Sequence, residues 1–303
     1  TSVTGVQTCA IPISKLDEET ACVFMEPVLF EIPRGSFLQD VRRLCTERGA
    51  LLVFDEMWTG FRLALGGAQE YFDIQADLAT FSKAIANGMP ISVLTGRQDV
   101  MCGCDEDVFF STTFGGETLS LAAAKATITE LRDRDVPTVL ARRGTKLQTA
   151  YNEIADRLGL GYTRCIGYPY HSMIVFDDTA GDPLLCKSLV GQEMIRRGIL
   201  WNGFHNICYA LEEDDIDTVI AAYEEVLPIL GRAVKEGRVS DLLHGKPVEP
   251  IFRGVGGGRA ARKGPSGSSA GRSSGLSSVH TENFSPLLQQ LQSCLLVTTY
   301  QAG

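Results

Sequence analysis

Two short apolar runs, each ending on a charged side chain, restrict this chain more than anything else in it. Leu51-Leu-Val-Phe54 is apolar throughout, the pattern of a strand buried on both faces, and it stops on Asp55-Glu56 before the turn signal Thr59-Gly60. Leu78 to Ser82 is a second such run; it ends on Lys83, and Asn87-Gly88 turns the chain soon after. Upstream, Phe37, Leu38, Val41, Leu44 and Cys45 recur at helical spacing, closed by Gly49 and preceded by the strand-like Ala21–Met25. Strand, helix, strand in that order makes a βαβ unit with a parallel sheet and a right-handed crossover. In open α/β sheets ligands sit beyond the carboxyl ends of the strands, where Asp55 and Lys83 fall.

An acid and a lysine brought to one such edge suit pyridoxal 5′-phosphate. The lysine amine condenses with its aldehyde, and an ionised Asp55 keeps the pyridine nitrogen protonated. Taken singly these features are bland, since strands often end on acids and most lysines are solvated. Three segments together say more: Phe54-Asp-Glu-Met-Trp-Thr-Gly-Phe-Arg62, Phe81-Ser-Lys-Ala-Ile-Ala-Asn-Gly-Met-Pro-Ile91 and Ser111-Thr-Thr-Phe-Gly-Gly116. In this order and spacing they resemble the class III aminotransferases, near the glutamate-1-semialdehyde 2,1-aminomutase branch.

The resemblance implies an α/β fold, the fold-type I PLP-dependent transferase, with part of its large α/β/α domain and a small C-terminal α+β domain. It implies Lys83 as the catalytic base, and Asp55, Met57, Lys83 and Thr113 as the residues that contact the cofactor. Met57 stands where relatives carry a small aliphatic residue packed on the ring, a role its thioether can fill. Thr113 corresponds to the threonine that contacts the phosphate held by the neighbouring subunit, so the working unit is expected to be a homodimer with a shared active site. The partners implied are a small amino donor and a carbonyl acceptor. From the residues alone, the hydroxyls of Ser111, Thr112 and Thr113 before a helix at Leu119 to about Leu131 suit an anion, and an ordinary helix cap by Glu117 or Thr118 suits them equally. In relatives the loop that grips the phosphate and the aromatic that stacks on the ring lie upstream of the segment matching Ala21. Residues 1–303 by themselves are therefore expected to hold the cofactor weakly or not at all. Other readings are an inactive remnant serving as an interaction scaffold, and a decarboxylase or racemase on the same cofactor.

The net charge of −9 argues against a nucleic-acid surface. Nine cysteines are scattered without a framework, as in a reducing compartment such as the cytoplasm. Cys102-Gly-Cys104 lacks a second pair or nearby histidines, so no metal site is expected. No apolar run reaches membrane-spanning length. Along the chain, 1–14 is expected to be a non-native leader, because Thr4 to Ile13 resembles the translation of a sequencing adaptor. The large-domain part is 15–135, a long helix and the small domain 136–252, a Gly/Ser/Arg-rich disordered linker 253–282, and 283–303 the start of a second, truncated domain.

Further expectations are local. Pro90–Thr95 reads as a buried strand leading to a loop around Cys102, Val136–Leu158 as a helix with Pro137 in its first turn, and Met173–Phe176 as a strand. Pro183–Arg197 reads as a helix stopped by Gly198, and Ile199–Trp201 as a strand. Asp214 or Asp215 should cap a helix over Ile216–Lys235 that Pro228 kinks or breaks. Glu26 either reaches a substrate pocket or supports a loop, Glu56 and Arg62 can pair, and His205 reads as a polar loop residue.

Overall fold

A computed structural model describes residues 16–17, 19–28, 32–106 and 115–249. Strand β1 (Cys22–Met25), helix α1 (Phe37–Arg48) and strand β2 (Leu51–Asp55) form the expected βαβ unit. Helix α1 lays Leu38, Val41 and Cys45 on Leu52 and Phe54 of β2, and ends at Gly49, whose left-handed φ of 69° lets its N–H reach the Cys45 and Thr46 carbonyls. A short helix α2 (Gly67–Phe72), which the weak periodicity of Leu63–Phe72 does not announce, precedes strand β3 (Leu78–Phe81). Strand β3 runs parallel to β2 with Asp55 opposite Thr80.

Strand β4 (Val93–Gly96) pairs antiparallel with β3, giving the order β1-β2-β3-β4. The expectation of a buried strand here needs correction. At the end of the sheet among the described residues, β4 is partly to fully exposed. The stretch around Cys102 is helical rather than a loop, as two single turns, α3 (Gln98–Met101) and α4 (Gly103–Glu106).

Helix α5 (Thr118–Asp133) starts under a cap from Glu117, whose carboxylate accepts the Leu119 and Ser120 N–H groups. Helix α6 (Val136–Arg157) has Pro137 in its first turn and buries Leu140, Leu147, Tyr151 and Ile154 along one face. Strands β5 (Thr163–Tyr168) and β6 (His171–Phe176) then make a hairpin, followed by helix α7 (Pro183–Arg196). The strand that completes this antiparallel sheet is β7 (Phe204–Asn206), and not Ile199–Trp201. Those three residues form no ladder: Leu200 is exposed, and Trp201 turns inward to donate its indole N–H to the Tyr223 hydroxyl at 2.6 Å.

Helix α8 (Glu213–Lys235) closes the fold and runs unbroken through Pro228. An interior proline costs about 3 kcal/mol. Tyr223, Val226, Leu227, Leu230 and Ala233 of the same helix are buried, and each large apolar side chain so placed returns about 1.5–3 kcal/mol. Packing therefore wins. The helix begins one turn earlier than expected, capped by Glu212, with Asp215 accepting the Glu212 N–H in return. The largest core cluster joins Val28, Leu63 and Ala68 from the first half to Tyr151, Leu189, Tyr223 and Leu227 from the second. No helix of the described residues is long and apolar enough to cross a membrane.

Candidate active site

The parallel strands set the site. Because β1, β2 and β3 run the same way in adjacent positions, Glu26 just after β1, Asp55 at the end of β2 and Lys83 two residues after β3 emerge along one edge of the sheet. Asp55 is half-buried, and its carboxylate accepts the Met57 N–H at 3.0 Å. Lys83 is exposed at the head of a turn of 3-10 helix, Lys83–Ile85, with a φ of 46° that non-glycine residues seldom adopt. Its ammonium lies 5.2 Å from the centre of the Trp58 ring, a cation–π contact. Met57 is half-buried beside them, and Thr113 lies outside the described residues.

Trp58 itself packs on His171 with the rings tilted by 39° and their centres 4.2 Å apart, and His171 lies parallel to Phe204 at 6.0 Å. The His171 Nδ1 meets the Asn206 side-chain oxygen at 2.5 Å. Glu26, Trp58, Thr59, Tyr168, Tyr170 and His171 line a cleft between the first sheet and the β5–β6 hairpin. Burial raises the proton affinity of the Glu26 carboxyl; the neighbouring Asp55 charge adds to this and Lys83 opposes it. Both Asp55 and Lys83 thus act on one carboxyl in the same cleft. Burial pulls the His171 imidazole below its usual range, the Asn206 bond opposing and Arg62 adding to the effect.

Glu56 and Arg62 do not pair with one another. Glu56 is fully buried, takes the Thr59 hydroxyl, and accepts the Ala68 and Gln69 N–H groups at 2.8 and 3.0 Å, so it caps α2. A Cβ on Gly67 would stand 2.5 Å from a Glu56 oxygen, so only glycine admits this cap. Arg62 crosses to the other sheet and donates to the carbonyls of Tyr170 (3.0 Å) and Ile207 (2.8 Å).

His205 also differs from expectation. It is a buried strand residue, not a loop one, bonded through Nδ1 to Ser172 (2.9 Å) and through Nε2 to the Tyr223 hydroxyl (2.8 Å). The Trp201 indole can only donate, so the Tyr223 oxygen accepts from it and gives its own proton to Nε2. That assigns the neutral tautomer with the proton on Nδ1. Trp58, Tyr168, Tyr170 and His171 were not singled out in the sequence. Trp58 carried one signal, an aromatic three residues after the strand-end acid Asp55; the other three come close only through the hairpin.

A family model, Aminotransferase class-III, matches residues 5–211. This chain belongs to the class-III aminotransferase family. It is 37% identical over 166 residues to glutamate-1-semialdehyde 2,1-aminomutase of Methanosarcina acetivorans, covering 53% of this chain and 39% of that protein. To the 3-aminobutyryl-CoA aminotransferase of Cloacimonas acidaminovorans it is 33% identical over 201 residues, covering 65% and 48%. The chain thus spans less than half the length of these class-III relatives. Among solved structures, the FumI protein of a Sphingopyxis species in its PLP internal aldimine form superposes with a TM-score of 0.66 at 25% identity, over 76% of this chain and 56% of that one. The β-phenylalanine aminotransferase of Variovorax paradoxus gives 0.66 at 27% identity, over 74% and 56%. The α/β fold of this class-III member is that of PLP-dependent transaminases.

Proposed function

We propose that this chain carries the lysine and acid of a pyridoxal 5′-phosphate-dependent amino-transfer site, acting on a small amino donor and a carbonyl acceptor. The observation that carries the reading is the emergence of Asp55 and Lys83 from adjacent parallel strands at one edge of the sheet, with the Lys83 ammonium over the ring of Trp58. The donor set fits the cofactor: an amine able to condense with an aldehyde, a carboxylate able to hold a protonated ring nitrogen, and aromatic faces beside them. When bound, the cofactor supplies that aldehyde and a ring that accepts electrons. Lys83 presents its amine and, once released, takes a proton from one carbon and returns it to another. Asp55 holds positive charge at the ring nitrogen. The hydrogen bond that its carboxylate accepts from the Met57 N–H fixes its orientation.

In this reading Met57 packs on the ring, and Thr113 reaches the phosphate held by a second copy of the chain. The exposed Leu119 and Leu121, directly after that segment on α5, are in keeping with a homodimer that shares its sites. The buried thiols Cys45, Cys165 and Cys186 suit a reducing compartment, the cytoplasm.

The test is covalent. The purified protein is incubated with an excess of pyridoxal 5′-phosphate, so that even weak binding loads the lysine, then reduced with borohydride, digested and weighed by mass spectrometry. The expected result is a cofactor adduct on the peptide containing Lys83, with no adduct in Lys83→Ala. An adduct spread over surface lysines, or one that survives Lys83→Ala, would overturn the reading. Adding an amino donor and a keto-acid acceptor then separates amino exchange from decarboxylation or racemisation.

A further inference from the structure

Among the described residues two lysines hold their ammonium groups over aromatic rings, and one row of rings runs between them. Lys83 lies 5.2 Å from the centre of Trp58, and Lys187 lies 5.3 Å from the centre of Phe204. Between those rings sits the buried His171, packed on Trp58 at 4.2 Å and parallel to Phe204 at 6.0 Å. The Asn206 side-chain oxygen fixes the imidazole through Nδ1. Trp58 is half-buried and is followed by the buried Thr59 and Gly60. The second sheet therefore sets the position of a ring that meets an amine delivered by the first.

We propose that Trp58 is a positioning residue for Lys83: its ring is the seat that holds the amine, as an ammonium, while it is not bonded to the cofactor. The role rests on the function proposed above, in which Lys83 is released during turnover and then carries a proton. An exposed ammonium on a flexible four-carbon stem would otherwise wander in solvent. Here the backbone sets where the stem leaves the sheet edge, through the left-handed φ of 46°, and the indole face attracts the charge at its far end. Among the described residues neither Asp55 nor Glu26 takes the ammonium into an ion pair, which leaves the ring as its contact and Asp55 free for the ring nitrogen. Burial disfavours the charged form of His171, so the imidazole does not compete as a cation for the same ring. Lys187 on Phe204 shows the same arrangement at the other end of the row, away from the strand-end acid.

The experiment methylates the lysines of the full chain with isotope-labelled formaldehyde and cyanoborohydride, which keeps their charge, and records the methyl signals by NMR. Lys83→Arg and Lys187→Arg assign the two signals of interest. A group held over a ring is displaced upfield, so both should stand apart from the signal of the exposed Lys125. Trp58→Leu should return the Lys83 signal alone to the solvent position, with Lys187 still displaced on Phe204 as proof of an intact fold. Trp58→Phe, with a smaller ring, should keep part of the displacement. The second readout is the initial labelling rate of Lys83 relative to Lys125, since a seated ammonium condenses only after leaving the ring. That ratio should rise about threefold in Trp58→Leu, the worth of one exposed cation–π contact, and by less in Trp58→Phe. A Lys83 signal that is not displaced in the native chain, or that Trp58→Leu leaves in place, would overturn the proposal, as would an unchanged rate ratio. The borohydride adduct is measured on separate, unmethylated samples. An adduct on Lys83 without a Trp58-dependent shift sinks the seat alone; a Trp58-dependent shift without an adduct keeps the seat and sinks the amino-transfer reading.

Discussion

At the carboxyl edge of the first sheet Asp55 and Glu26 are half-buried and Lys83 is exposed, and the Glu26 carboxyl takes no hydrogen bond among the described residues. Against the second sheet, Ser172 and His205 instead join Tyr223 of α8 and Trp201 in a buried line of hydrogen bonds. Both regions hold titratable groups within a few residues of a strand. They differ in whether each donor meets an acceptor inside the fold. A satisfied network fixes one packing arrangement and has nothing left to offer a ligand. An unsatisfied edge contributes little to stability and keeps its valences for a visitor. The left-handed φ at Lys83 belongs with the second kind, since strain of this sort persists where the surrounding fold imposes it.

The widest separation of the two regions should come from Lys83→Ala. Loss of a positioned base costs about 10²–10⁴-fold in amino exchange. Because Lys83 is exposed and its cation–π contact is a surface one, thermal unfolding should hardly move. A large fall in Tm would mean that Lys83 is structural after all.

The opposite pattern is expected from pH. Burial takes His205 from 6.5 down to about 4. Between those values the unfolded chain binds a proton that the folded chain does not, so stability falls as pH drops from 6.5 towards 4, by about 3 kcal/mol in all, and is flat above 6.5. Urea unfolding of the native chain and of His205→Gln across this range measures the term, the variant showing a shallower slope. Identical slopes would place His205 in contact with water.

Tyr223→Phe removes the hydroxyl that accepts from Trp201 and donates to His205, leaving two buried polar groups unpaired. A loss of about 2 kcal/mol follows, with the Lys83 adduct unchanged. The smallest effect is expected from Ser172→Ala, about 1 kcal/mol, because the buried Cys165 sulfur lies 3.6 Å from the same His205 nitrogen and can take over weakly. If Ser172→Ala cost as much as Tyr223→Phe, Cys165 would not be a substitute acceptor.

How far the sequence reaches can be judged from particular residues. Gly49, Pro137 and the apolar runs at Leu51 and Leu78 mark their elements because turn chemistry and period are local properties. Pro228 and His205 misled for the same reason: taken locally, a proline ends a helix and a histidine between Phe204 and Asn206 is polar. Neighbours far along the chain reversed both, through the buried face of α8 and the Ser172–Tyr223 partners.

The sequence alone determined the parallel βαβ core, its strand-end acid and lysine, and the class-III resemblance, since each is written in contiguous residues and their spacing. Only the tertiary structure decided that Glu56 caps a helix while Glu26 faces a cleft, and that Tyr168, Tyr170 and His171 wall that cleft from another sheet. Whether a carboxylate is satisfied depends on donors brought from distant segments, and chain order does not encode that proximity in any one stretch.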